Sequence, residues 1–450
     1  MRLKERGHQT AILLMAVLVL ACSPLVAWGQ EASVRPQAQR VESLADSLKR
    51  ANTQLHIFYI HGMAEEGPGH SDSEDLRKSI CKQLKDCTTT EGVLDGKREY
   101  ADKGSFTLDT PAPQLSYLGE QIWKSRQGGS LSEGWNASAP FVDHWKLART
   151  NPHAPPIYVD EINWWPLVFA VKCRQIVAND ATLAGPSKTY IDKCASFKPD
   201  PSTPGRFLSY SWIEPPDAQK LKAMRARGAL INRSLKGYVL DWGFTDAVLA
   251  LGQMQPYLSE GIRQLVGKSV DVAADGSRGE SVERAPNQEF VIVAHSLGSY
   301  LMLAALDITE TAATGATQAQ KQRLEYVLSR ISTVYFFANQ LRLLDLANLD
   351  SSTGANMTRR LELWGQLRSK YLASHNESTP NHLVRPHIVA WSDPSDLLSW
   401  NVPDLETVVV ENRSVKNSIH WLWLLERPVL AHGNYATNKN VIRVMLTPSK

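Results

Sequence analysis

The residues best placed to do chemistry lie in Phe290-Val-Ile-Val-Ala-His-Ser-Leu-Gly-Ser-Tyr-Leu301. The apolar run Phe290 to Ala294 suits a strand buried on both faces, and Leu301, Met302, Ala304 and Ala305 beyond the turn suit a helix. A strand-to-helix turn this tight wants small residues two places before and two places after its central residue, because a side chain there would strike neighbouring backbone. Ala294 and Gly298 stand at those places, with Ser296 between them. A serine hydroxyl is a poor nucleophile at neutral pH until a base takes its proton, so a histidine and an orienting carboxylate are expected elsewhere in the chain.

The segment resembles the nucleophile elbow of the α/β-hydrolases, with alanine replacing the first glycine of G-x-S-x-G. That resemblance implies an α/β fold with a mostly parallel sheet flanked by helices. It also implies a Ser-acid-His order along the chain, and cleavage of a carboxylic ester through an acyl-enzyme with no cofactor. Five histidines follow Ser296: His375, His382, His387, His420 and His432. His432, in Arg427-Pro-Val-Leu-Ala-His-Gly-Asn-Tyr435, stands where the resemblance puts the general base, on a loop ahead of a closing helix. His420, within Ile419-His-Trp-Leu-Trp-Leu-Leu425, reads as a packed residue. The acid should come from Ser392-Asp-Pro-Ser-Asp-Leu-Leu398, after the apolar run Ile388 to Trp391. Asp396, followed by two apolar residues, is preferred to Asp393, which precedes a proline and can serve the turn by bonding its own backbone. For the oxyanion the resemblance implies the amides of Leu297 and Met63, the latter closing Leu55-His-Ile-Phe-Tyr-Ile-His-Gly-Met63. Gly62 would let backbone approach the substrate, and Gly67-Pro68-Gly69 would turn the loop.

These residues need a scaffold, and short apolar runs supply its strands: Leu55 to Ile60, Ile157 to Val159, Phe290 to Ala294, Val334 to Phe337, Ile388 to Trp391 and Val408 to Val410. Asp246 to Val266 and Tyr300 to Ile308 carry apolar residues at helical steps. One elaborated domain is expected over residues 51–450. Residues 30–50, with Val41, Leu44 and Leu48, form a linker that turns into a short helix. Thr88 to Pro156 and Thr182 to Gly228, rich in Gly, Pro, Ser and charge, are candidates for lid or cap insertions, with surface decoration as the alternative. Trp164 and Trp165 could line an apolar cleft, but a tryptophan pair is more often packing.

The N-terminal layout is that of a signal peptide: Arg2, Lys4 and Arg6 precede the apolar stretch Ala11 to Ala21. That stretch is shorter than the roughly 20 residues a spanning helix needs. Val19-Leu-Ala-Cys22 resembles a lipobox and would anchor the protein in the cell envelope by lipid on Cys22. The competing site Ala27-Trp-Gly29 would release a soluble periplasmic or secreted protein. Removing residues 1–29 takes away three bases and one acid, so the formal charge falls from +3 to +1. With signs interspersed, no nucleic-acid partner is expected. Cys81, Cys87, Cys173 and Cys194 suit disulfides in an oxidising compartment, and the shortest loops pair Cys81 with Cys87 and Cys173 with Cys194. Gly261-Ile-Arg-Gln-Leu-Val-Gly-Lys-Ser269 misses the phosphate-loop spacing and falls in a helical pattern, and no H-E-x-x-H or paired C-x-x-C points to a metal. A small-molecule or lipid ester is the expected substrate. The reading from another class is a non-catalytic envelope lipoprotein that uses the fold as a binding scaffold.

Overall fold

The computed structural model describes residues 44–49, 54–63, 73–85, 87–88, 93–101, 140–151, 153, 157–172, 243–252, 254–273, 288–307, 318–347, 357–374, 386–417 and 428–447. The signal region 1–29 with Cys22, the stretch 182–228, Cys173, Cys194, Gly67 to Gly69, His375, His382 and His420 lie outside them.

Among the described residues, nine strands form one sheet: β1 (Gln54–Ile60), β2 (Cys87–Thr88), β3 (Val93–Tyr100), β4 (Phe141–Arg149), β5 (Ile157–Asn163), β6 (Gln288–His295), β7 (Ile331–Phe337), β8 (His387–Ser392) and β9 (Val409–Ser414). Their order is β2-β4-β5-β1-β6-β7-β8-β9, with β3 also on β4. The strands from β5 through β9 in that order run parallel, while β4 meets β2, β3 and β5 antiparallel. This is an α/β protein with a mostly parallel sheet, as expected. In sequence the described sheet starts at β1, which gains β5 on one side and then β6 on the other. Sites in open α/β sheets collect at such a reversal, beyond the carboxyl ends of the strands.

Helices cover both faces, and the strand side chains divide between them with the period of two that a strand imposes. Phe58, Ile60, Phe290, Ile292, Ala294, Val334, Phe336 and Ile388 join one cluster. It includes residues of the helices α5 (Gln255–Ala273), α6 (Leu297–Ala305), α7 (Gln318–Arg330) and α9 (Met357–Ser374). Leu55, Ile57, Tyr59, Val291, Val293, Tyr335, Phe337 and Val389 point the other way, into a cluster with residues of α1 (Leu44–Lys49), α2 (Glu74–Leu84) and α11 (Lys439–Leu446). Burial on both faces is why these strands read as continuous apolar runs.

Three expectations are corrected. The stretch Thr88 to Pro156 is not simply an insertion, since β3 and β4 within it belong to the sheet. The helix expected over Asp246 to Val266 is two, α4 (Thr245–Leu251) and α5, parted near Gly252 and Pro256. Gly252 lies in a conformation where a Cβ would stand 2.8 Å from the Val248 carbonyl. α6 begins at Leu297, three residues before the expected Tyr300. The near-miss phosphate loop lies inside α5, as its helical pattern implies. Cys81 and Cys87 stand at disulfide distance, with Cα atoms 4.9 Å apart.

Where parallel pairing gives way to antiparallel, a buried polar cluster joins three strands. His56 Nδ1 on β1 and His144 Nδ1 on β4 reach opposite oxygens of Asp160 on β5, at 2.9 and 2.7 Å. Burial alone would raise the Asp160 carboxyl, but the charge of His56 and the bonds from both imidazoles hold it below the ordinary carboxylate value. Burial would lower His144, yet its bond to Asp160 leaves it raised. The stabilisation at Asp160 is therefore complete above the unfolded carboxylate pKa and fades as acid titrates the folded group. That at His144 is complete below the unfolded imidazole pKa and fades as pH rises through the folded value. Removing one charge from a buried pair costs about 3–5 kcal/mol. Asp160→Asn is expected to lower urea stability by that order, with the widest gap from wild type between about pH 4 and 6.5. Coincident urea curves for the two proteins in that window would show that the cluster contributes nothing.

Candidate active site

The site is built on the carboxyl ends of adjacent strands. β6 ends at His295, and Ser296 follows with φ 54° and ψ −125°, a backbone conformation that side-chain-bearing residues rarely adopt. It is held there by its surroundings. The Ser296 amide donates to the Phe337 carbonyl at 2.8 Å, and the Ser299 amide donates to the Ser296 carbonyl at 3.0 Å. The turn also presses on the end of β1. A Cβ on Gly298 would lie 2.3 Å from the His61 carbonyl oxygen, and one on Gly62 would lie 2.7 Å from Ser296 Cβ. Both positions thus need glycine for close approach. Ala294 is fully buried, and one methyl is accommodated there.

Ser296 Oγ is 2.8 Å from His432 Nε2. His432 Nδ1 lies 2.9 and 3.0 Å from the two Asp396 oxygens, so it carries the proton and leaves Nε2 to accept from the serine. Ser296 and Asp396 are buried and His432 is partly exposed. The three residues singled out by the Ser-acid-His order therefore meet in one hydrogen-bonded series. His387 is buried at the start of β8, at the opposite end of that strand from the Asp393–Asp396 turn. The expected loop for His432 is corrected: the residue sits in the last turn of the short helix α10 (Pro428–Gly433). Pro428 suits a first helical position, since its missing N–H is not needed there.

The two aspartates divide their work. Asp393 accepts from the Ser395 amide at 2.8 Å and the Asn417 amide at 2.6 Å, which fixes the turn as expected. Asp396 accepts from the Leu398 amide at 3.0 Å and turns both oxygens to His432. Gly62, adjoining Met63, packs on Ser296, and Leu297 opens α6 directly after Ser296. Trp164 is a packed residue: it stacks on His61 at 5.0 Å, and its Nε1 donates to the His61 carbonyl at 3.1 Å. Trp165 is likewise buried, edge-on to Phe169.

Three further residues join the site without having been singled out. Gln340, just past β7, donates from Nε2 to Ser296 Oγ at 2.9 Å. His295 Nε2 donates to the His432 carbonyl at 2.8 Å, tying His432 to the strand that leads into Ser296. The Tyr435 hydroxyl accepts from the Asp393 amide at 2.8 Å and donates to Asp396 Oδ2 at 3.3 Å. Gln340 carried one signal, its place where a buried apolar strand ends on the site's edge. Leu343 and Leu346, shortly after Gln340, and Leu397 and Trp400, shortly after Asp396, are exposed apolar side chains.

No His/Cys/Asp/Glu group suited to a metal occurs among the described residues, and no helix among them is long and apolar enough to cross a membrane. Comparison with family models, with curated proteins and with solved structures returns no match for this chain.

Burial, followed by the Asp396 charge, pushes the Tyr435 hydroxyl far above its ordinary value, so it stays protonated and serves Asp396 as a donor. Tyr435→Phe removes that donor and strands the Asp393 amide. A loss of about 1–3 kcal/mol is expected in urea unfolding; an unchanged midpoint would show that the hydroxyl holds nothing.

Proposed function

We propose that the chain is a serine hydrolase of the α/β-hydrolase type, cleaving a carboxylic ester through an acyl-enzyme. The observation that carries this reading is the unbroken series Asp396–His432–Ser296, with each contact at 2.8 to 3.0 Å. The strained Ser296 turn at the carboxyl edge of a mostly parallel sheet supports it, as does the Ser-acid-His order along the chain.

In this mechanism His432 Nε2 takes the Ser296 proton as Oγ attacks the ester carbonyl. Asp396 holds the imidazole in the needed tautomer and stabilises the imidazolium. The amides of Leu297 and Met63 stabilise the tetrahedral oxyanion. The imidazolium then protonates the leaving alcohol, and water, activated by the same histidine, cleaves the acyl-enzyme. The apolar side chains of Leu343, Leu346, Leu397 and Trp400 suit an ester with an apolar part.

A fluorophosphonate probe, which forms a covalent bond only with an activated serine, tests the reading. Wild type is expected to be labelled and Ser296→Ala not; a wild type that stays unlabelled would favour a binding scaffold. On p-nitrophenyl esters, Ser296→Ala and His432→Ala should each lower turnover by about 10⁴–10⁶. Asp396→Asn should approach a loss of about 10⁴, whereas Asp393→Asn should act mainly on stability. A larger catalytic loss at Asp393 would reverse the two roles.

A further inference from the structure

We propose that Gln340 is a catalytic residue of this site: its side-chain amide stabilises negative charge on Ser296 Oγ as the serine leaves the acyl-enzyme. The proposal rests on the hydrolase reading and adds a residue to it.

A serine hydroxyl has one proton and two acceptor lone pairs. Here the proton is directed to His432 Nε2 at 2.8 Å and one lone pair accepts from Gln340 Nε2 at 2.9 Å, which leaves the other for a carbonyl carbon. The amide is not in place by accident. Gln340 is buried, and its loop is fixed from several sides. The Ala338 amide donates to the Trp391 carbonyl at 3.1 Å, with Ala338 held at φ 51°. The Leu341 amide donates to Asn339 Oδ1 at 2.9 Å, the Trp400 amide donates to the Asn339 carbonyl at 2.9 Å, and Asn339 Nδ2 donates to the Trp400 carbonyl. Gln340 stands at the start of the short helix α8 (Leu341–Leu344), yet its side chain makes no capping bond there. The amide is aimed at the serine.

Strand order separates this donor from the oxyanion amides. Met63 follows β1 on one side of β6, and Gln340 follows β7 on the other. Gln340 therefore addresses Oγ and not the carbonyl oxygen. An N–H on the attacking oxygen withdraws electron density from it, so attack gains little. The gain falls on the reverse movement of charge. In deacylation a water oxygen bonds to the acyl carbon while His432 takes the water proton. The C–Oγ bond then breaks, its electron pair goes to Oγ, and the imidazolium returns the proton to Oγ. During that bond cleavage Oγ carries developing charge, and a hydrogen bond to a charged oxygen is stronger than one to a neutral one.

The test separates the two half-reactions on a p-nitrophenyl ester, where kcat/KM reports acylation and kcat, with so good a leaving group, reports deacylation. Gln340→Met keeps the shape and removes the N–H. It should lower kcat by about 10- to 100-fold, the range for a hydrogen bond to a charged group, with kcat/KM within about threefold of wild type. Intact mass spectrometry at ester concentrations below the wild-type KM should then show more acyl mass on the Met variant than on wild type, and none on Ser296→Ala. Gln340→Glu, which sets a carboxylate against the developing charge at pH 8, should show the same split more strongly, and it decides the matter if Gln340→Met does not fold. A parallel fall of kcat and kcat/KM, or no change in either, overturns the proposal, because a merely structural glutamine would not split the two constants. Absence of both ester turnover and fluorophosphonate labelling in wild type is a different failure: it removes the hydrolase reading, and this proposal with it.

Discussion

The constraint on which the rest of the site depends is the close approach of two pieces of backbone. The His61 carbonyl at the end of β1 lies where a side chain on Gly298 would have to go, and Gly62 lies against Ser296 itself. A positive-φ serine costs about 1–3 kcal/mol and persists only where neighbours over-determine it. Here the neighbours are the sheet: the Ser296 amide is bonded to β7, and α6 begins one residue later. The register of β1 on β6, with Ile60 beside Ala294, sets the height at which these pieces meet. A slip of one residue would carry Gly62 away from the serine and turn every side chain of β1 to the wrong face.

Asp396 belongs to a loop and His432 to a helix of six residues, yet neither is loosely held. His295, the residue before Ser296, bonds the carbonyl of His432, so the strand that leads into Ser296 also positions the imidazole beside it. Asn417, whose amide binds Asp393, also donates from its side chain to the Ala431 carbonyl, which links the turn that carries Asp396 to the helix that carries His432. Tyr435, stacked on Phe337, spans the two aspartates with one hydroxyl. Each link fixes a side chain by a bond made elsewhere, and preorganisation of this kind lets a polar site act without first rearranging.

What was legible in the sequence follows from this arrangement. β1, β6, β7 and β8 are buried on both faces and read as apolar runs, and the Ser296 turn carries a local signature because glycine and alanine are demanded within five residues. β3 and β4 were hidden. Their sequences, Val-Leu-Asp-Gly-Lys-Arg-Glu-Tyr and Phe-Val-Asp-His-Trp-Lys-Leu-Ala-Arg, hold charges that suit a surface loop. Those of Asp143 and His144 are met only across the sheet, by Arg98 at 2.8 Å and by Asp160. Long-range satisfaction of this sort leaves no trace in a window of ten residues. Gln340 was hidden for the same reason: its meaning depends on the Asn339–Trp400 contacts, between residues 61 apart. The short helix holding His432 could have been read from Pro428, but six residues give little periodicity to see.

The two aspartates of the acid loop show how environment, and not residue type, assigns a role. Both are buried carboxylates three residues apart. Each oxygen of Asp393 accepts a backbone amide, one from its own turn and one from Asn417, so both oxygens are engaged in holding the chain. Asp396 accepts a single backbone amide, and the rest of its capacity faces the imidazole and the neutral Tyr435 hydroxyl. A carboxylate whose oxygens face backbone amides of its own turn is turned away from the imidazole, whereas one that faces the imidazole directly interacts most strongly with that ring's charged form. The Asp396 amide, in turn, donates to the Asp393 carbonyl at 2.9 Å. The first aspartate therefore builds the turn on which the second is mounted.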